Sequence, residues 1–300
     1  MGRPGMNKKI VNSYLMADGS RFTDKAGYET MTFDQECQNR DPRLAQTIRT
    51  PGYTRIGSTK KEAPNLAYTM TGYHLIKYSM TANYDEYNKS CNDIPLFRTA
   101  EVYLNFAEAK AELGTLKQAD INKSIKLLRD RVGMTNLDME LANSKPDPYL
   151  MSAATGYPNV KGANQGVILE IRRERTIELA MEGFRYYDIM RWKEGKLFEN
   201  DLLGIYVPGP GTYDLDKDGT DDVCFYVGTK PAGNVPLYLE IGEQIRLSNG
   251  ESGYIICHSL ITKKWNEDRD YLYPVPISER TLSNGVITQN PGWNDGLNFN

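Results

Sequence analysis

The 300-residue sequence has no excess of charge of either sign. Its 36 lysine and arginine residues nearly balance 39 aspartate and glutamate residues. The composition therefore gives no reason to expect electrostatic attraction to nucleic acid or to an anionic membrane surface. No run of 18 apolar residues is present either, so the sequence predicts no membrane-spanning helix.

Cysteine and histidine are both scarce. The four cysteines (Cys37, Cys91, Cys224 and Cys257) lie far apart and form no C-x-x-C pair. This spacing argues against a zinc ribbon or a dithiol redox site. Their even number permits disulfides without requiring any. The chain has 2 histidines, too few for a histidine-rich metal centre.

The first 20 residues lack the apolar run and the small-residue cleavage site of a secretory signal. We therefore expect either an intracellular protein or the processed or truncated part of an exported one. Tyrosine, in contrast, is abundant, with 20 residues against 8 phenylalanines. Its flat ring and hydrogen-bonding tip suit binding surfaces, although most such rings are expected at the rims of a polar core.

The pattern of turns and apolar residues divides the chain into five regions. Residues 1–95 are loop-rich, and residues 97–133 predict a pair of helices. A polar connection over 134–163 leads to a long helix over 164–195. The remainder, 202–300, alternates glycine, proline and tyrosine with short β-like runs. The predicted fold is mainly α, with loop-rich and short β segments.

The helical pair is predicted to run from Phe97 to Leu113 and from about Gln118 to Val132. Gly114 would end the first helix, and a second glycine directly after Val132 would end the other. Together they span roughly the 34 residues of one tetratricopeptide (TPR) unit. One such hairpin cannot bury its own apolar faces, so it must stack on neighbouring elements.

The long helix is apolar on two opposite sides. Ile177 and Phe184 gather on one side, while Ile168 and Met190 lie nearly opposite. A helix of this kind is sandwiched between other elements, and its charged side chains need partners. If continuous it would be about 45 Å long, with Gly183 as the position where it can break or bend.

Four segments of the chain carry distinctive motifs. These segments are the helix Arg98-x-x-Glu101-Val-Tyr-Leu-x-x-Ala107-Glu108-Ala109, the motif formed by Glu174, Arg175, Glu178, Leu179, Glu182, Gly183, Arg185, Asp188, Arg191 and Trp192, the segment Asp41-Pro42-Arg43, and the ending Tyr273-Pro274-Val275-Pro276 with Gln289-Asn290-Pro291-Gly292-Trp293. Together they resemble the motifs of the SusD/RagB family. The resemblance implies an α-superhelix of TPR-like hairpins with a loop-rich face carrying the ligand side.

The same resemblance implies a surface-exposed glycan-binding lipoprotein of the outer membrane. Such nutrient-binding proteins of polysaccharide utilization hand oligosaccharides to a SusC-like TonB-dependent transporter. Family members usually begin with a lipid-modified cysteine and have several more helical repeats. We therefore expect this chain to be a C-terminal portion, without the N-terminal TPR half and without the lipid anchor that would attach it to the membrane.

Glu170, Glu174, Glu178 and Glu182 recur every four residues, and paired carboxylates can perform acid–base catalysis. Arginines are interleaved on the same helix, however, and neutralised carboxylates are poor general acids. We therefore predict structural ion pairs rather than an enzyme. The predicted network consists of Arg98, Glu101, Glu108, Glu174, Arg175, Glu178, Glu182, Arg185, Asp188 and Arg191.

The loop from Asp214 to Asp222 has the D-x-D-x-D-G start of a calcium loop. Position 12 is Phe225 rather than a bidentate glutamate, and no flanking helices are expected. The alternative is an Asp- and Gly-rich β-turn. No cofactor is otherwise required, and the possible Ca²⁺ ligands are Asp214, Asp216, Asp218, Thr220 and Asp222.

Sugar binding needs aromatic platforms beside groups that bond hydroxyls. The loops of residues 1–95 supply most of the candidates, although each alone can be structural. The candidates are Tyr53, Tyr68, Tyr73, Asn83, Tyr84, Tyr87, Asn88 and Trp265. Non-catalytic glycan capture is the leading hypothesis, with a protein-docking scaffold that lacks sugar affinity as the alternative. The sequence does not name the glycan.

Overall fold

The computed structural model describes residues 3–294 and 296, so the last part of the predicted 202–300 region and the first two residues lie outside the described residues. Helices dominate, which confirms the prediction of a mainly α fold. The helices are α1 (Lys8–Ser13), α2 (Phe33–Glu36), α3 (Pro42–Thr47), α4 (Thr99–Glu112), α5 (Gln118–Asn122), α6 (Ile125–Asp130), α7 (Met139–Ser144), α8 (Pro148–Met151), α9 (Gln165–Glu178), α10 (Arg185–Arg191) and α11 (Ile277–Leu282).

Within the described part of the C-terminal region, five short strands form two small sheets. They are β1 (Leu202–Val207), β2 (Gly211–Tyr213), β3 (Val223–Tyr226), β4 (Leu237–Glu240) and β5 (Gly253–Cys257). In one sheet β1 pairs antiparallel with β5. In the other, β3 is central, antiparallel to β2 and parallel to β4. All four cysteines are free thiols.

Among the residues that the structure describes, two hydrophobic clusters make up the core, and α9 contributes to both. One cluster joins the loops of the first part of the chain to the two sheets and includes Leu44, Ile177 and Ile255. The other lies among the helices and includes Leu104 and Leu169. The helix that was predicted to be apolar on two sides therefore packs against both halves of the molecule.

Helix α9 is buried along nearly its whole length. Twelve of its 14 residues are buried, including its glutamates and three arginines. Gly166 permits this packing, because a Cβ atom there would lie 1.8 Å from the carbonyl oxygen of Ala142 in α7. Only a residue without a side chain fits so close to another backbone.

The predicted continuous helix over 164–195 is wrong, because α9 ends at Glu178. Met181 and Gly183 both have a positive φ, at 67° and 84°, and they turn the chain before α10 begins. A break at Gly183 was anticipated, but the helix ends five residues earlier. Tyr187, which lies in the separate helix α10, is 62% exposed.

The predicted second helix of the hairpin is also interrupted, since α5 and α6 are separate helices. The hydroxyl of Ser124 donates to the carbonyl of Asp120 at 2.7 Å, and Ser124 itself is not helical. A serine side chain that bonds the backbone in this way competes with the helix. The first helix begins at Thr99 rather than Phe97, and Phe97 is exposed.

The region 134–163 was predicted as a polar connection, but it contains α7 and α8. Both helices begin at an aspartate whose carboxylate caps a backbone N–H group: Asp138 accepts from Leu141, and Asp147 from Tyr149. Asp147 is followed by a proline at the first helical position, the pattern of a helix start. Among the described residues, no helix is both long and apolar enough to cross a membrane.

Candidate functional site

A network of buried charges surrounds the C-terminal half of α9. The carboxylate of Glu174 accepts from Arg43 at 2.5 Å and from Arg129 at 2.8 Å. One turn later, Glu178 accepts from Arg43 at 3.0 Å, from Arg98 at 2.8 Å and from Arg131 at 3.0 Å. These pairs connect α9 to the start of α3, to the start of α4 and to the end of α6.

The network continues beyond the end of α9. Glu182, in the turn before α10, accepts from Arg98 at 2.6 Å and from Lys77 at 2.6 Å. Lys77 also donates to the carbonyl oxygen of Ala180 at 2.8 Å. Cations placed near the last carbonyls of a helix are favourable because those groups carry partial negative charge.

Other members of the predicted network join α9, α10 and α4. Arg175 pairs with Asp188 at 2.7 Å, and Arg191 pairs with both Asp188 and Glu108. The remaining two members behave differently. Arg185 donates to hydroxyl groups, those of Tyr157 and Thr176. Within the described residues, no ion pair involves Glu101.

The electrostatics of α9 do not suit acid–base catalysis. Burial alone would raise the pKa of Glu174, but the adjacent Arg43 and Arg129 outweigh it and lower that pKa to about 2. The pKa of Glu178 is also lowered, because Arg98 and Arg43 outweigh the effect of its burial. Carboxylates that stay ionised in this way do not donate protons near neutral pH.

Two of the candidate aromatic residues lie on one exposed loop, residues 78–92, which we call the tyrosine loop. Tyr87 is 92% exposed and Tyr84 is 40% exposed. Asn83 is exposed beside Tyr84, and Asn88, next to Tyr87, has a positive φ of 63°. The loop thus presents rings and amide groups to solvent, as contact with sugar faces and hydroxyls requires.

The tyrosine loop is attached to the neighbouring turn by one arginine. Arg55 forms a bidentate ion pair with Asp85 and donates from Nε to the carbonyl oxygen of Met80 at 2.7 Å. Asn92 donates to the carbonyl oxygen of Tyr78 at the other end of the loop. These bonds hold the backbone beneath the exposed rings, which lowers the entropy that the loop would lose on binding.

The other candidate aromatic residues are placed differently. Tyr73 is fully buried, and its hydroxyl donates to Glu36 at 2.7 Å. A ring in the core cannot stack on a sugar, so the structure argues against Tyr73 as a ligand contact. Tyr53 is half-buried, with the guanidinium of Arg49 at 5.4 Å from its ring centroid, and Tyr68 is 60% exposed.

Trp265 belongs to an aromatic cluster that the sequence did not reveal. Its ring lies 5.3 Å from that of Phe198 and is half-buried rather than exposed. Tyr186 contacts Phe198, Tyr187 and Tyr273 with centroid distances of 5.4–6.3 Å. These residues come from two distant stretches, 186–198 and 265–273, so spacing along the chain could not predict the cluster. Tyr187 and Tyr273 are each 62% exposed.

The Asp-rich loop brings three of its predicted ligands together. The carboxylate oxygens of Asp214, Asp216 and Asp218 lie within 4.8 Å of one another. Burial and the neighbouring carboxylates raise the pKa of Asp222 to about 6. The loop joins β2 to β3 rather than two helices, and its Thr220 donates a backbone N–H to Asp218. Oxygen ligands in this arrangement suit Ca²⁺, and calcium binding stays a prediction.

The fold and these sites define a class: a helical protein of the TPR type that presents a loop-rich, aromatic face. The chain belongs to the SusD family, whose model matches residues 2–293. The predicted family and the TPR-like helical fold are thereby confirmed. Among curated proteins, none matches the chain.

Solved structures of SusD-like proteins share this fold. A SusD-like protein from Bacteroides fragilis is 21% identical with a TM-score of 0.59, and the match covers 96% of this chain and 47% of that protein. A second protein from the same organism, described as a SusD-like carbohydrate-binding protein, is 22% identical with a TM-score of 0.56, covering 92% and 47%. The chain thus spans about half the length of these two proteins.

Proposed function

We propose that the chain binds an oligosaccharide or polysaccharide through the tyrosine loop. The observation that carries this proposal is the exposure of Tyr84 and Tyr87, beside Asn83 and Asn88, on a loop that Arg55 holds in place. Stacking on exposed rings suits sugar faces, and side-chain amides both donate to and accept from hydroxyl groups. Membership of the SusD family supports the proposal.

The proposal extends to the cell surface. We infer that the protein acts without catalysis at the outer face of an outer membrane and delivers its glycan to a SusC-like TonB-dependent transporter. Family membership supports this role, and so does the ionised state of the α9 carboxylates, which do not suit acid–base chemistry. Purification of the tagged chain from the native cell envelope tests it, since a TonB-dependent transporter should be retained with the chain.

Affinity electrophoresis through gels that contain polysaccharides tests glycan binding. We expect at least one polysaccharide to retard the protein. The double variant Tyr84→Ala/Tyr87→Ala should lose the retardation, because stacking on each ring is lost, while its melting temperature stays unchanged for such exposed positions.

The matched control is the double variant Tyr187→Ala/Tyr273→Ala, which removes two exposed rings of the aromatic cluster. It should leave the retardation intact. Loss of retardation in this control, with normal behaviour of the Tyr84→Ala/Tyr87→Ala variant, would place the sugar on the aromatic cluster and contradict the proposal.

A protein-docking scaffold without sugar affinity is the second candidate function. The observation in its favour is the exposure of large apolar side chains on α4 and beside its ends, where Val102 is 63%, Leu113 76% and Phe97 88% exposed. Exposed apolar patches often mark protein interfaces. This alternative predicts that the transporter is retained with the tagged chain although no polysaccharide retards the chain in the gel. The Val102→Ser variant should then retain less of the transporter.

A further inference from the structure

A pocket of about 270 Å³ opens beside the tyrosine loop and is lined mainly by charged side chains. Lys77, Arg98 and Arg131 contribute the cations nearest to solvent, and Glu178 and Glu182 are the carboxylates. We call it the cationic pocket. Its volume is slightly below the roughly 300–1,000 Å³ of most small-molecule pockets, which suits one sugar unit rather than a long chain.

The opposite charges in the cationic pocket lie at different depths. The side chains of Lys77, Arg98 and Arg131 are 22%, 29% and 52% exposed, whereas those of Glu178 and Glu182 are 2% and 5% exposed. The carboxylates are therefore covered by the cations that they pair with. A molecule that approaches from solvent meets ammonium and guanidinium groups first, so the accessible wall is positive.

Arg131 has hydrogen-bonding capacity that the protein does not use. Only its Nη2 donates, to both carboxylate oxygens of Glu178 at 3.0 Å. Among the described residues, no hydrogen bond involves its Nε or Nη1. A guanidinium presents its donors in a planar fork that matches a carboxylate or a sulfate group. The donors on Nε and Nη1 therefore remain available to a ligand.

The cationic pocket and the tyrosine loop are continuous. Tyr78, the first residue of the loop, lines the pocket, and Pro95 lines it just beyond the other end of the loop. The ammonium group of Lys77 lies 5.7 Å from the centroid of the Tyr78 ring. A sugar unit over the pocket would therefore lie beside the Tyr78 ring at the start of the loop.

We propose that the glycan of this site is anionic, and that a carboxylate or sulfate group on one sugar unit binds in the cationic pocket against the free edge of Arg131. This proposal rests on the proposed function and specifies its class of ligand. The exposed side chain of Gln46 also lines the pocket, and its amide group can form a hydrogen bond with a neighbouring hydroxyl group of the sugar.

Titration with single sugars tests the charge preference. The probes are D-glucuronate for a carboxylate, D-glucose 6-sulfate for a sulfate, and D-glucose as the neutral reference. Binding is detected by nuclear magnetic resonance of the arginine Nε–H groups. At least one charged sugar should bind about tenfold more tightly than D-glucose, since charge-assisted hydrogen bonds contribute about 1.5–3 kcal/mol. The affinity should fall as salt is added.

Two variants and one control locate the binding. Arg131→Gln should weaken charged-sugar binding about tenfold. Gln46→Glu touches none of the ion pairs and adds a repelling charge at an exposed position, so it should abolish binding while the protein stays folded. Lys126→Gln, on α6 and paired only with Asp130 among the described residues, should change nothing.

Equal affinity for D-glucuronate, D-glucose 6-sulfate and D-glucose would overturn the proposal. So would the absence of binding by both charged sugars at millimolar concentrations, or unchanged binding in Gln46→Glu. These results would leave retardation by a neutral polysaccharide, and its loss in Tyr84→Ala/Tyr87→Ala, unaffected. Failure of the charge preference can thus be distinguished from failure of glycan binding itself.

Discussion

At the scale of single residues, the carboxylate of Glu178 compensates three guanidinium groups, those of Arg43, Arg98 and Arg131. We expect Glu178→Ala to lower the free energy of unfolding by about 3–5 kcal/mol, because the buried Arg43 loses part of its compensation. Urea unfolding measures the change. Glu101→Ala, which removes a glutamate outside these ion pairs, is the control and should stay within about 1 kcal/mol of the unmodified protein.

The low pKa of Glu174 predicts that the protein loses stability in acid. Its pKa is lowered to about 2 in the folded protein from an ordinary value of 4.5. A lowered pKa contributes stability that is complete above the ordinary value and is lost as the pH falls towards the folded value. Glu174 should therefore contribute about 3 kcal/mol at neutral pH and lose it between about pH 4.5 and pH 2.

Urea unfolding at a series of pH values checks this prediction, with Glu174→Gln showing a shallower decline in acid. Glu194 provides a control because its pKa is shifted in the opposite direction. Burial raises this pKa to about 6 despite the nearby Arg172. The Glu194→Gln variant should still lose stability in acid as the unmodified protein does. The same decline in Glu174→Gln as in the unmodified protein would contradict the assignment.

The sequence predicted which residues of α9 carry charge and that these charges need partners. It could not predict that Arg43, Arg129 and Arg131 would be among those partners, because they lie 45 to 135 residues from the glutamates that they pair with. The tyrosines illustrate the same limit. Tyr73 and Tyr87 occur in similar polar surroundings, yet one is in the core and the other is almost fully exposed.

At the scale of elements, the turn between β2 and β3 carries the prediction of calcium binding. Ca²⁺ should raise the melting temperature, because it relieves the repulsion among Asp214, Asp216 and Asp218 and binds only the folded loop. Asp216→Asn should reduce this rise, whereas Asp221→Asn, at an exposed position beside the cluster, should leave most of it. Calorimetric titration without heat, together with an unchanged melting temperature, would refute calcium binding.

The elements differ in how well their sequence predicts them. Helix α9 was predictable because apolar residues cover two sides over several turns. The end of α9 was harder to predict, because the first residue with a positive φ after the helix is Met181 rather than a glycine. Helix α8 was missed although Asp147 and Pro148 give a start signal, because it has only 4 residues and no periodic pattern.

At the scale of the whole molecule, α9 connects the two hydrophobic clusters. We therefore expect one cooperative transition in calorimetry rather than two. Leu44→Ala in one cluster and Leu104→Ala in the other should lower the same transition, since each removes a fully buried side chain at a cost of about 2–5 kcal/mol. Two resolved transitions, each sensitive to one variant, would show that the clusters unfold independently.

The burial of α9 also determines how the protein opens. Backbone amides exchange hydrogen with water only when their hydrogen bonds break, and those of a helix enclosed on all sides break only in the largest openings. The amides of residues 169–178 should therefore be among the slowest to exchange, and those of the tyrosine loop among the fastest. Local opening at the ligand-facing loop therefore leaves the central helix intact.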